Sequence, residues 1–177
     1  MATNPFSGEL LAESPYAVAE VMLQRVQAAL EACETSEPLA ESYVVIGELT
    51  WDECCGILVA VPLRTFRTAQ FPTAVTDATN CDSSLLAVEI AVVLLRCAPV
   101  IDAQGNLPSI EDMTSSFAAA SNDAAVIFNE LSGALPEGWE RASIEQSFEN
   151  EGGCIAIDTR LTIGLPQSEW CACPEVA

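Results

Sequence analysis

The sequence predicts an α+β fold: a mostly antiparallel sheet of three strands plus a C-terminal hairpin, with two helices packed on one face. Three observations carry this expectation. Two segments repeat apolar residues at helical spacing, three apolar runs of β type lie between them, and two alternating segments meet at a Gly-Gly turn. Hydrophobic residues make up 50% of the 177-residue chain, enough for one substantial core. The expected organisation is a single domain over residues 14–165, preceded by an arm at 1–13 and followed by a tail at 166–177.

Residues 1–13 carry no sustained periodicity. Ser14-Pro15 then reads as a helix start, with serine as N-cap and proline at the first helical position. Val18, Val21, Met22, Val26, Ala29, Leu30 and Cys33 follow as one stripe, and Pro38 closes the segment. Tyr43 to Leu49 is a short β-type run, and Thr50 to Glu53 a connection. Gly56 to Thr68 is the second run, where Pro62 signals an edge or a bulge. From Gln70 to Ser84 the pattern stops in a long loop with Pro72, Asp77, Asn80 and Asp82.

Leu85 to Cys97 has too few polar breaks to be half exposed and reads as a central strand. Ala98-Pro99 stops it, and Asp102 to Asn106 is a loop. Ser109-Ile-Glu-Asp112 is close to a capping box. Met113, Phe117, Ala120, Ala124, Ile127, Phe128 and Leu131 continue as a helical face toward a Gly133 cap. In the hairpin, Ala142, Ile144 and Phe148 oppose Arg141, Glu145 and Glu149. Ile155, Ile157, Leu161, Ile163 and Leu165 oppose Asp158, Arg160 and Thr162. Glu149 to Gly153 supplies the turn. The tail has one large anchor, Trp170.

Charge then narrows function. The chain has no histidine and a net charge of −20, from 26 acidic residues against 6 cations, all arginine. Nucleic-acid binders cluster lysine and arginine on phosphates, and there is little here to cluster. Without histidine there is no Ser-His-Asp or Cys-His nucleophile system and no His-ligated zinc. An acidic membrane surface would repel the chain. The longest apolar run is too short to span a bilayer, and the first residues do not form a secretory signal, so cytoplasmic synthesis is expected. A generally acidic, salt-adapted proteome is the plainer account of the charge.

The eight cysteines lack the C-x₂-C spacing of zinc knuckles, and the expected reading is reduced, small core hydrophobes, with bridges formed late in an extracellular particle left open. Asp52-Glu-Cys-Cys55 is a poor activated thiol, because flanking acids disfavour a thiolate. No catalytic site, cofactor site or metal site emerges. Arginine is the informative minority. Arg96 ends the central strand, and Arg141 and Arg160 are expected to face outward on the hairpin. Each arginine can form a surface ion pair worth under roughly 1 kcal/mol. Arg64 and Arg67, beside Phe66 and Phe71, also suit a subunit interface.

Asp52-Glu-Cys-Cys-Gly-Ile-Leu-Val-Ala-Val61, Phe71-Pro72, Cys81 and Val88 to Val100 together resemble neck and tail-completion proteins of long-tailed phages infecting actinobacteria. Asp123-Ala-Ala-Val126 and Glu151-Gly-Gly-Cys-Ile155 extend the likeness over roughly residues 16–165. Within that group, the order helix, three strands, helix, hairpin is similar to tail terminators. The resemblance implies a structural virion protein, assembled in the host cytoplasm as a homo-oligomeric, hexameric ring. Its partners would be the tail tube protein and a head-proximal neck protein. DNA would pass through the lumen without specific binding, and no membrane is involved. Alternatives are another neck protein (a head–tail stopper or adaptor), a free-standing acidic protein-binding module, or an enzyme with a carboxylate metal site.

Overall fold

The computed structural model describes residues 14–47, 55–68, 70–74, 85–151 and 153–165. The predicted arm, the Cys-x-Cys tail with Trp170, the connection around Trp51, and residues 75–84 of the long loop lie outside the described residues. Seven elements follow in order: α1 (Pro15–Ala32), β1 (Glu41–Val44), β2 (Ile57–Thr68), β3 (Leu85–Cys97), α2 (Ile110–Ser132), β4 (Glu140–Glu151) and β5 (Cys154–Leu165).

Both helices start where their caps predict. The Ser14 hydroxyl accepts from the amide of Ala17, with Pro15 in the first turn. The Ser109 hydroxyl accepts from the amide of Asp112 and donates to its carboxylate. Each thereby satisfies an amide that the first helical turn leaves without a partner.

The five ordered strands form one sheet in the order β1-β2-β3-β5-β4. This overturns the expectation of a mostly antiparallel sheet: the sheet is mixed, because β1 lies parallel to β2, with Glu41 opposite Ile57 and Val44 opposite Ala60. A parallel neighbour needs a connection that carries the chain back to the same end of the sheet, usually of a dozen or more residues. Twelve residues separate Val44 from Ile57, and a four-residue strand carries no periodicity that reveals its direction. An isolated bridge between Gln70 and Thr73 stands outside the named strands. The remaining pairs, β2–β3, β3–β5 and β5–β4, are antiparallel, and β3 holds the middle position.

Sheet alternation divides the apolar residues between two faces. On one, Leu58, Ala60, Val88, Ile90, Val92, Leu94, Ile155, Ile157, Leu161 and Ile163 pack with buried residues of both helices, including Met22, Val26, Leu30, Ala124, Ile127 and Leu131. On the other, Val59, Val61, Ala91, Val93, Leu95 and Ala156 form a second cluster. The middle of β3 is thus buried on both sides, which is why it reads as an unbroken apolar run.

The helical and strand stripes are narrower than the spacing predicts. Met113, Phe117 and Phe128 are exposed at the margin of α2, and Phe148 is 54% exposed on β4. Ala142 is also exposed, because a bulge between Arg141 and Ser143 drops it from the register.

One polar cluster sits inside this frame. Arg96 and Asp123 are 5% and 2% exposed, and Arg96 Nε donates to Asp123 Oδ2 at 2.7 Å. The Ser36 hydroxyl donates to the other carboxylate oxygen. Arg96 also donates to the carbonyls of Glu37 (2.9 Å) and Pro38 (3.3 Å). The end of the central strand, the middle of α2 and the segment entering β1 are therefore joined at one point.

The cysteines depart from the reading as reduced core residues. Cys55 and Cys97 form a disulfide between the start of β2 and the end of β3, and both are exposed. Cys154 is buried and also disulfide-bonded, while Cys33 is a free, half-buried thiol.

Two stability outcomes follow from this. Asp123→Ala strands a buried arginine and should cost about 3–5 kcal/mol, whereas Arg96→Met/Asp123→Leu should recover most of it; urea unfolding of the three proteins checks this. Replacing Cys55 and Cys97, whose bridge spans 42 residues, by serine should lower stability by about 2–4 kcal/mol by freeing the unfolded chain, read as a lower denaturant midpoint without reductant, where the bond of Cys154 stays intact.

Candidate interface on the helix-free face

The four residues singled out for subunit contact lie on or just after β2. The β2–β3 register shifts between Pro62 and Arg64, and beyond the shift Arg64 stands opposite Glu89 and Phe66 opposite Ala87. Val88 and Ile90 belong to the helix-side core, so Ala87 and Glu89, and with them Phe66 and Arg64, face away from the helices. Arg67, opposite Leu86, faces the helix side.

Arg64 is engaged within its own chain. Its guanidinium pairs with the Glu89 carboxylate and lies 4.9 Å from the centroid of the Phe66 ring. The side chain of Arg64 remains 65% exposed, so the pair is a screened surface contact, and the stacked ring holds the guanidinium in place. Arg67 is exposed and is not without a partner.

Phe71 folds back over the same face. Two of its ring carbons lie 3.1 and 3.2 Å from where a Cβ on Gly164 would sit. Gly164 neighbours Ala87 on β3, and Ala87 neighbours Phe66. The small residues at 87 and 164 therefore form a floor between the two rings. The structure brings Arg64, Phe66 and Phe71 together on one face, and sets Arg67 at the same strand end on the other.

Further along the face, Arg160 donates from Nε (2.9 Å) and Nη2 (2.8 Å) to Asp158 Oδ2. The hydrogen bonds and charge of Asp158 hold the Arg160 guanidinium above its ordinary value. Glu145, Ser147 and Glu149 of β4 lie opposite Arg160, Asp158 and Ala156, which puts both glutamates on the helix-free face as well.

Arg141 corrects the outward placement expected for it. Its guanidinium donates to the carbonyls of Leu131 (2.5 Å), Ser132 (2.7 Å) and Gly133 (3.1 Å). α2 has no basic residue in its last turn, so its terminal carbonyls needed a donor, and the next cation along the chain is Arg141. Arg25, which the sequence left unassigned, donates from Nε to Glu130 Oε1 (2.8 Å) and from Nη2 to the Glu130 carbonyl (3.1 Å), tying α1 to α2.

A cleft of about 210 Å³ opens beside the buried Arg96, lined among others by Glu37, Asp112, Ser115, Ser116 and Asp123. Its arginine already serves Asp123 and the carbonyls of residues 37 and 38. Among the described residues no group of three His, Cys, Asp or Glu is placed to hold a metal ion, and no helix is long and apolar enough to cross a membrane. No family profile matches the chain, and no curated protein matches it in sequence.

Gly164→Val tests the floor under Phe71. The added side chain must displace the ring, and overpacking of this kind costs about 1–3 kcal/mol. Thermal unfolding should show that loss, and Gly164→Val/Phe71→Ala should be less destabilised than the sum of the two single changes.

Proposed function

We propose that this protein is a structural virion component of a long-tailed phage, a tail terminator whose copies close a ring over the tail tube and present the surface for head joining. The observation that carries the reading is the element order, helix, three strands, helix, hairpin, on a sequence whose ordered segments resemble neck and tail-completion proteins. The role is one of shape and contact rather than catalysis. Its partners are further copies of the chain, the tail tube protein and a head-proximal neck protein.

The electrostatics suit a lumen that DNA traverses. Arg25, Arg64, Arg96 and Arg160 are paired with acids of their own chain, and Arg141 is spent on carbonyls. A chain of net charge −20 with five of its six arginines so occupied offers phosphates few places to dwell. The same charge makes copies repel one another, so a ring must close through short-range contacts, strengthened as salt screens the repulsion beyond about 8 Å at 0.15 M.

Purified protein, gold-labelled and mixed with tails lacking their head-proximal cap, should decorate one tip of each tube in electron micrographs. It should also leave duplex DNA unshifted in a gel at about 50 mM salt, where electrostatic binding is strong. Protein that ignores tail tips overturns the virion reading and favours a free-standing acidic module. Retention of DNA overturns the sliding lumen.

A further inference from the structure

Three exposed phenylalanines gather on one flank of the molecule. α1 packs on β1, β2 and β3, and α2 on β4 and β5. With the strand order β1-β2-β3-β5-β4, one flank of α2 therefore meets α1, and the other looks out past the edge strand β4. Glu130, paired with Arg25 of α1, marks the inner flank. At about 100° per residue, Phe117 and Phe128 lie roughly 140° and 160° round the helix from Glu130 and about 20° from each other. Both are on the outer flank, 45% and 37% exposed.

β4 brings the third ring. The strand runs back along α2, since Arg141 donates to carbonyls of the last helical turn and Gln146 to the Ala124 carbonyl. Phe148 shares the face of Gln146 and stands opposite Ile157 of the helix-side core. It lies two residues further on, a step of about 7 Å, roughly the rise of four to five helical residues. That sets Phe148 level with Ala120, one turn from Phe117. Three of the six phenylalanines thus share one water-facing surface of a strongly acidic chain. Exposed aromatic side chains grouped in this way mark a contact surface.

Charge selects the occupant. Exposed acids stand at both ends of the flank, Glu111 and Asp112 in the first turn of α2 and Glu137 and Glu140 where the chain leaves it. A second copy would bring a further −20 charges, with five of its arginines already engaged within their own chain, and would be repelled. We propose that the α2–β4 flank docks a basic amphipathic helix of another protein. Large apolar side chains on one stripe of that helix lie against Phe117, Phe128 and Phe148, and its lysines or arginines meet the acids at the two ends. A helix suits the site because Phe117 and Phe128 are about 16 Å apart along α2, three turns. A helix beside α2 at the usual spacing of about 8–10 Å would extend the helix layer past the edge strand. The contact holds for a single copy of the chain and does not depend on the tail reading.

Synthetic peptides test it. The probe is a peptide of about 14 residues, close to four turns, with leucine at i, i+3, i+4 and i+7 and lysine on its other faces. One control keeps its composition with the stripe scrambled, and a second keeps the stripe with glutamate in place of lysine. Any basic peptide is drawn to a chain of net charge −20, so the readout is the ratio of the striped to the scrambled affinity, by fluorescence anisotropy at about 0.15 M salt. Wild type should prefer the striped peptide by roughly thirtyfold or more, and Phe117→Ser/Phe148→Ser should bring the ratio close to one, since each aromatic anchor contributes about tenfold. Tyr16→Ser, which removes an exposed ring from α1, should keep the wild-type ratio, and the glutamate peptide should not bind. All three substituted side chains are exposed, and circular dichroism confirms that the variants are folded. Four outcomes overturn the proposal: a wild-type ratio near one, a double variant that keeps the wild-type ratio, a glutamate peptide that binds as well as the lysine peptide, and a Tyr16→Ser ratio that falls as far as that of the double variant. So does wild type that self-associates in sedimentation velocity and is made monomeric by Phe117→Ser/Phe148→Ser, which would make a second copy the occupant. Decoration of tail tips is scored separately and stands or falls without this contact.

Discussion

The buried pair of Arg96 and Asp123 is the contact on which the arrangement of the chain depends. Arg96 lies at the end of the central strand, Asp123 in the middle of α2, and Ser36, Glu37 and Pro38 in the segment that enters β1. Two opposite charges removed from water are tolerated only when their remaining hydrogen-bonding groups are met. Here the carboxylate is filled by Ser36 and Arg96, and the guanidinium by Asp123 and two carbonyls. The geometry joins the end of β3, the middle of α2 and the segment that enters β1 at one point.

Charge is sorted across the sheet in a way that composition alone conceals. A chain with 26 acidic residues has to put them somewhere other than its core, and β4 shows how. Along that strand Ile144, Gln146 and Phe148 face the helices while Glu145 and Glu149 face away. Gln146 uses its position to donate to Thr159 Oγ1 (2.8 Å) and to the Ala124 carbonyl (3.0 Å), which fixes the edge strand to α2. The arginines are distributed in the opposite spirit. Arg25, Arg96 and Arg141 each bond a different element far along the chain, so these scarce cations act as staples between elements.

Two small residues shape the helix-free face. Ala87 and Gly164 are neighbours on β3 and β5, and their lack of bulk lets Phe71 lie against the strands. The ring thereby covers part of a face on which no described helix packs. The same face also carries Arg64 over Phe66, the pair of Asp158 and Arg160, and the exposed Glu145 and Glu149. This surface is held in place by contacts within the chain, and a rigid surface loses little freedom on meeting a neighbour.

Much of the local structure was legible in the sequence. Ser14-Pro15 and Ser109 mark their helices because a capping hydroxyl acts on amides two or three residues away. Leu85 to Cys97 reads as central because burial on both faces removes alternation. The lack of histidine and lysine excluded whole chemistries without reference to any fold. What the tertiary structure alone decided is direction and partnership. The parallel sense of β1, the turn of Arg141 toward the end of α2, the meeting of Phe71 with Gly164, and the exposure of Phe117, Phe128 and Phe148 all depend on residues far apart in the chain. Periodicity records how one element alternates between water and core; it carries no information on which element lies across the interface, and that is where these contacts are made.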